Sequence, residues 1–170
     1  SMGEQRIALV TGASRGIGQA IADALGADGC VVIGTATSDG GAGAISAHFG
    51  DKGVQGEGMK LDVTDPESVA AVLKAIGDKY GTPTILVNNA GITRDNLLMR
   101  MKEDEWQAIM DTNLTSVYRV SKACLRGMMK AKFGRIINIA SVVGASGNAG
   151  QTNYAAAKAG IFGFTKSLAQ

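Results

Sequence analysis

Between an apolar tetrapeptide, Ile7-Ala8-Leu9-Val10, and an amphipathic stretch that begins at Gly16 stands the segment Thr11-Gly12-Ala13-Ser14-Arg15-Gly16-Ile17-Gly18. A short, continuous apolar run suits a strand buried on both faces of a parallel sheet. Ile17, Ala20, Ile21, Ala24 and Leu25 fall three and four apart, which predicts a helix with an apolar stripe facing that sheet. At such a junction each glycine has its own use. Gly12 permits a sharp turn, Gly16 lets the backbone approach a ligand, and Gly18 lets helix and strand pack closely. The helix start adds free N–H groups and the positive end of its dipole. A pyrophosphate fits that arrangement, so a dinucleotide is expected against Gly12, Ser14, Arg15, Gly16, Ile17 and Gly18. A turn that merely links two elements is the plainer reading of any lone glycine pattern, and the strand-helix context argues against it here.

The alternation continues along the chain. Cys30-Val31-Val32-Ile33-Gly34 predicts a second buried strand, Ala42 to Phe49 a weaker helix, and Glu57 to Leu61 a third strand. Asp65-Pro66-Glu67 reads as N-cap, first helical residue and first-turn acid, opening a helix on which Val69, Val72, Leu73 and Ile76 share a face. Ile85 to Asn88 is a fourth strand, Glu103 to about Lys132 one unusually long helix, and Arg135 to Ala140 a fifth strand. A last helix is expected from near Asn153 through Gln170. Strands alternating with helices imply a doubly wound parallel α/β sheet in a single domain spanning 1–170.

Seventeen basic residues against 15 acidic give a net charge of +2, too small and too scattered for a nucleic-acid or membrane surface. No apolar run approaches membrane-spanning length, and the Ser1-Met2-Gly3 start has neither the basic nor the hydrophobic region of a signal peptide. Cys30 and Cys124 lack a partner at metal-ligand spacing, so buried reduced thiols and a cytoplasmic location are expected, with no metal site. His48, the single histidine, has no evident ligand partner in the sequence and receives no role.

The end of the second strand bears on the choice of nucleotide. An acidic residue there would accept from a ribose 2′-hydroxyl; the sequence instead has Gly34-Thr35-Ala36-Thr37, with Arg15 in the glycine turn. Cationic and hydroxyl donors suit a 2′-phosphate that a carboxylate would repel, which favours NADP(H). Arg15 as a solvated loop charge and Thr37 as a turn residue are the alternatives.

Tyr154-Ala155-Ala156-Ala157-Lys158 places a phenol and an ammonium four residues apart, hence on one face of a helix. A phenol with a pKa near ~10 is a poor proton donor at neutral pH, and a neighbouring cation favours its ionised form. Alone this spacing is weak; with Ser141 at the end of an apolar strand, Asn113 interrupting the long helix, and Asn88-Asn89-Ala90-Gly91 as a turn after the fourth strand, it gains weight. Together with the T-G-x-x-x-G-x-G turn, these residues resemble the short-chain dehydrogenase/reductase family over nearly the whole chain.

That resemblance implies a Rossmann-like fold and hydride transfer from a nicotinamide cofactor. It also implies that Tyr154 gives the proton, Ser141 orients the carbonyl, Lys158 holds the nicotinamide ribose and tunes Tyr154, and Asn113 supports a water relay. Asp62 and Val63 would lie by the adenine, and Asn89, Ala90 and Gly91 would line the ribose and nicotinamide channel. Asp62 as a local loop cap, and Asn88 and Asn89 as residues satisfying backbone groups, remain open.

The segments Gly91–Lys102 and Gly147–Tyr154 resemble the branch of the family that reduces 3-oxoacyl thioesters on acyl carrier protein during fatty-acid biosynthesis; an acetoacetyl-CoA-reducing branch is the alternative. An acidic carrier would be helped by a basic entrance, for which Lys130, Lys132 and Arg135 are candidates, although the same cations complement a helix C-terminus. Assembly as a homotetramer is implied, with Cys124, Met128 and Met129 either at a helix-helix subunit contact or in the core. Family members continue past Lys158 into two further strands, so the chain reads as truncated before them, with its fifth strand an exposed edge. A nucleotide-binding module without turnover is the rival for such a piece.

Overall fold

The computed structural model describes residues 5–92, 102–142 and 162–167, with side chains for 5–89 and 102–139. Five strands, β1 (Ile7–Val10), β2 (Val31–Ala36), β3 (Gly56–Lys60), β4 (Ile85–Ile92) and β5 (Arg135–Val142), pair in parallel in the order β3-β2-β1-β4-β5. Between them run α1 (Gly16–Ala27), α2 (Asp39–Lys52), α3 (Pro66–Lys79) and α4 (Glu103–Ala131).

The continuous apolar strands are explained by helices on both faces. Ile7, Leu9, Val31, Ile33 and Leu86 point to one side, where Val69, Val72 and Ile76 of α3 and Val120, Cys124 and Met128 of α4 meet them. Their alternates Ala8, Val10, Val32, Ile85 and Val87 point to the other, against Ala22 of α1 and Ile45 and Phe49 of α2. This is the doubly wound arrangement that the alternation predicts. Helix starts follow their caps: the Ser38 hydroxyl accepts the Gly41 N–H at 3.0 Å, and the Asp65 carboxylate accepts the Glu67 N–H at 3.0 Å ahead of Pro66.

Several expectations are corrected. The helix expected from Asn153 to Gln170 is not helical over its final described stretch: Phe162–Ser167 form β6, antiparallel to β5 from Arg135↔Ser167 to Ala140↔Phe162. Phe162, Phe164 and Thr165 favour extended backbone, Gly163 weakens a helix, and an unpaired β5 edge offers a row of hydrogen-bonding groups to fill. β5 is therefore not the free edge expected of it. Asn113 does not interrupt α4, which is continuous from 103 to 131. Cys124 and Met128 lie in the core, and only Met129 of that trio is exposed. His48 does have a partner, its Nε2 lying 2.9 Å from Asp23 Oδ1 and so joining α2 to α1. Among the described residues no helix is long and apolar enough to cross a membrane.

Candidate active site

The chain leaves β1 toward β2 and β3 on one side and reaches β4 and β5 on the other, so the strand order reverses between β1 and β4. Open α/β sheets bind ligands outside the carboxyl ends of their strands at such a reversal. The turn after β1, Thr37 after β2, Asp62-Val63 after β3, and Asn89 to Gly91 and Ser141 near the ends of β4 and β5 all stand at this edge.

The glycine turn is built as its sequence requires. Gly12 and Gly16 have φ of 63° and 61°, where side chains are strained. A Cβ on Gly18 would lie 2.0 Å from the Gly12 carbonyl oxygen and 2.7 Å from Asn89 Nδ2, so that contact tolerates no side chain. A Cβ on Gly16 would meet nothing within 4 Å, leaving open space in front of the helix start. Arg15 is the N-cap of α1, but its side chain is donor-only and caps nothing, and the first turn holds no acid; each of the other three described helices has an acid there. The N–H groups and positive dipole end of α1 are thus left for an external anion, with exposed Arg15 beside them. The pyrophosphate of a dinucleotide fits this cradle.

Hydrogen bonds lock the turn to its neighbours. Ala13 N–H donates to Thr35 O at 2.9 Å, and Gly34, whose Cβ would lie 2.9 Å from the Ala13 methyl, leaves room for that approach. Asn89 donates its backbone N–H to Thr11 Oγ1 and its side-chain amide to Gly12 O, each at 3.0 Å. One step earlier, the buried Asn88 amide donates to Ser121 Oγ of α4 at 3.1 Å and Asn138 Oδ1 of β5 at 2.9 Å. Asn88-Asn89-Ala90-Gly91 is therefore not the turn expected but the far half of β4, in register with Asn138 through Ser141 of β5, and β5 itself runs past Ser141 to Val142.

On the β3 side, the Asp62 carboxylate accepts the Thr64 hydroxyl at 2.6 Å and its N–H at 3.0 Å, and these bonds hold its pKa below the usual carboxylate range, with the Arg119 cation a smaller contributor. The carboxylate does cap its own loop, while Val63 lies half-buried beside it. At the end of β2 itself stand Thr35, buried, Ala36 and Thr37, exposed, and the first acid beyond them is Asp39 at the start of α2. Asn113 is half-buried on α4, and Ser141 is placed by its backbone opposite Gly91. Tyr154 and Lys158, with segments 93–101 and 143–161, lie outside the described residues. Ser121, Asn138 and Arg119, bonded to Asn88 and Val63, are site-edge residues that the sequence reading passed over. The one local signal was Asn138, a polar residue within the apolar run of β5.

The sheet reversal and the glycine cradle define a nucleotide-binding α/β protein of the dehydrogenase type. A model of the short-chain dehydrogenase family matches residues 6–170, and the chain belongs to that family, hence to oxidoreductases that use a nicotinamide cofactor. The chain is 67% identical over 167 residues to the 3-oxoacyl-[acyl-carrier-protein] reductase of Vibrio harveyi, covering 98% of this chain and 67% of that protein. It is 66% identical over 165 residues to the enzyme of that name from Haemophilus influenzae (97% and 67%), and 63% over 167 residues to that of Escherichia coli K12 (98% and 67%). The chain spans 67% of the length of each of these relatives.

Proposed function

We propose that the protein reduces the 3-oxo group of an acyl chain carried on acyl carrier protein to the 3-hydroxy group, with NADPH as reductant. The observation that carries this reading is identity of 63–67% over nearly the whole chain to reductases of that name, joined to a cradle in which Arg15 stands and to an end of β2, Thr35-Ala36-Thr37, without a carboxylate. Gly12, Ser14, Arg15, Gly16, Ile17 and Gly18 would hold the phosphates, Thr37 the 2′-phosphate, Asp62 and Val63 the adenine, and Asn89, Ala90 and Gly91 the ribose and nicotinamide. Bound there, the cofactor supplies a hydride to the carbonyl carbon.

The chain's own residues handle the oxygen. The Ser141 hydroxyl donates to the carbonyl and fixes its direction; Tyr154 passes its phenolic proton to the alkoxide that forms. The Lys158 ammonium, four residues along the sequence from Tyr154, favours the phenolate left behind, and Asn113 orders the water that restores the proton. The basic entrance expected at Lys130, Lys132 and Arg135 does not stand at the site: these exposed cations lie at the end of α4 and the start of β5, the sheet edge opposite Ser141, where they complement the helix C-terminus. The working form is a homotetramer in the cytoplasm, to which the exposed Leu114, Tyr118 and Met129 of α4 offer an apolar contact.

The test uses the full-length protein. NADPH oxidation should be rapid with a 3-oxoacyl carrier-protein thioester and far slower with NADH. Tyr154→Phe should lower kcat by more than about 10²-fold while NADPH still binds. Undiminished reduction by Tyr154→Phe would overturn the mechanism. A CoA thioester preferred over the carrier thioester would overturn the substrate.

A further inference from the structure

The turn between β3 and α3 is held by a residue from an element distant in sequence. Asp62 to Asp65 form a four-residue turn closed by the Asp65 N–H donating to Asp62 O at 3.1 Å. Its central peptide joins Val63 to Thr64, the unit whose orientation distinguishes the two commonest turn types. Both ends of that peptide are engaged. Its N–H donates to Asp62 Oδ1 at 3.0 Å, and its carbonyl, Val63 O, accepts from Arg119 Nη1 of α4 at 2.9 Å. Arg119 is only half-buried, and α4 otherwise meets this side of the molecule through apolar residues.

The geometry points to Arg119 as a positioning residue for the adenine half of the cofactor, acting by fixing the Val63–Thr64 peptide and through it the Asp62 carboxylate. The step is mechanical. Without the guanidinium, the Val63 carbonyl is free to turn toward water. A flip of the peptide then withdraws the Thr64 N–H from Asp62, and the carboxylate loses one of the two donors that aim it. A charge-assisted bond to a carbonyl is strong enough to hold one of two nearly isoenergetic turn conformers. The same side chain ties this loop to the helix bearing Asn113, so the adenine end and the proton-relay end of the site share one rigid support. This inference rests on the nucleotide reading of the sheet edge.

The experiment measures, in the full-length protein, the affinity of each half of the cofactor separately, 2′-phospho-ADP-ribose and reduced nicotinamide mononucleotide, by calorimetry. Arg119→Ala should weaken the adenine half by about five- to tenfold and leave the nicotinamide half unchanged, with KM for NADPH raised and kcat preserved at saturation. Arg119→Lys, which keeps a cationic donor, should recover part of the loss. Equal weakening of both halves would make Arg119 a general structural support and overturn the assignment, as would full adenine affinity in a folded Arg119→Ala protein. If the unsubstituted protein binds neither half, the nucleotide reading itself fails, and the assignment with it.

Discussion

At the scale of single residues, two glycines of one turn make opposite demands. Gly18 is excluded from carrying a side chain by backbone, since its Cβ would stand 2.0 Å from the Gly12 carbonyl oxygen, whereas at Gly16 only the φ of 61° resists, with empty space ahead. Gly18→Ala is therefore expected to cost about 3 kcal/mol of stability, the upper range of overpacking, and to abolish nucleotide binding. Gly16→Ala should cost about 1–2 kcal/mol and yet lose nucleotide almost as completely, because the methyl enters the volume assigned to phosphate. Thermal unfolding with and without NADPH separates the two; equal destabilisation would refute the contrast. The buried thiol of Cys124 belongs to this scale too. Burial pushes its pKa up to about 12, so it serves as a small apolar filler under β4. The roles of Gly12, Gly16 and Gly18 were legible in the sequence because a strand before and a helix after them assign each its task. Asn88 and Asn89 were misread as a turn, since both favour turns locally. The partners that keep them in a strand, Asn138 and Gly12, are 50 and 77 residues away.

At the scale of elements, α3 is fastened at its C-terminal end to β3. Glu57 Oε2 accepts Lys79 Nζ at 2.6 Å and also the Tyr80 hydroxyl. The bond from Lys79, then that from Tyr80, holds the Glu57 pKa below its ordinary value; the bond to Glu57 raises that of Lys79; burial and then the same carboxylate raise that of Tyr80. The signs define a window. A lowered carboxylate pKa gives stability that is present above the unfolded value of about 4.3 and is lost as pH falls through the folded value. The raised phenol and ammonium values give stability that is present below about 10 and is lost as pH rises through them. Glu57→Gln should lower Tm by about 2 °C at neutral pH, a modest figure because the group is partly exposed, and the difference should vanish once the pH has fallen below the folded value of the carboxylate. A difference that persists in acid would assign the effect to packing. Elements with a strong period were readable from sequence in this way, down to the Asp65 cap of α3. The end of the chain was not: the stretch 162–167 alternates like a strand and continues an apparently helical pattern, and the decision came from β5, whose edge it fills. His48 shows the same limit, its partner Asp23 lying on another helix.

At the scale of the whole molecule, α4 presents Leu114 and Tyr118, one turn apart and more than 60% exposed, on the side away from the core residues Val120, Cys124 and Met128. Replacing both by Glu should convert the proposed tetramer to a smaller species by light scattering and leave the protomer's secondary structure intact; an unchanged mass would place the subunit contact elsewhere. The layered architecture was legible as alternating apolar runs, but the seam that makes it a binding protein was not, because β1 and β4 are joined side by side by residues far apart in the chain. Thr11 and Asn89, bonded at 3.0 Å, are separated by 78 residues. A growing polypeptide therefore emerges from the ribosome with its glycine turn complete long before the amide that braces it exists, and an early fragment ending short of Asn89 carries the recognisable signature without the means to keep it in shape.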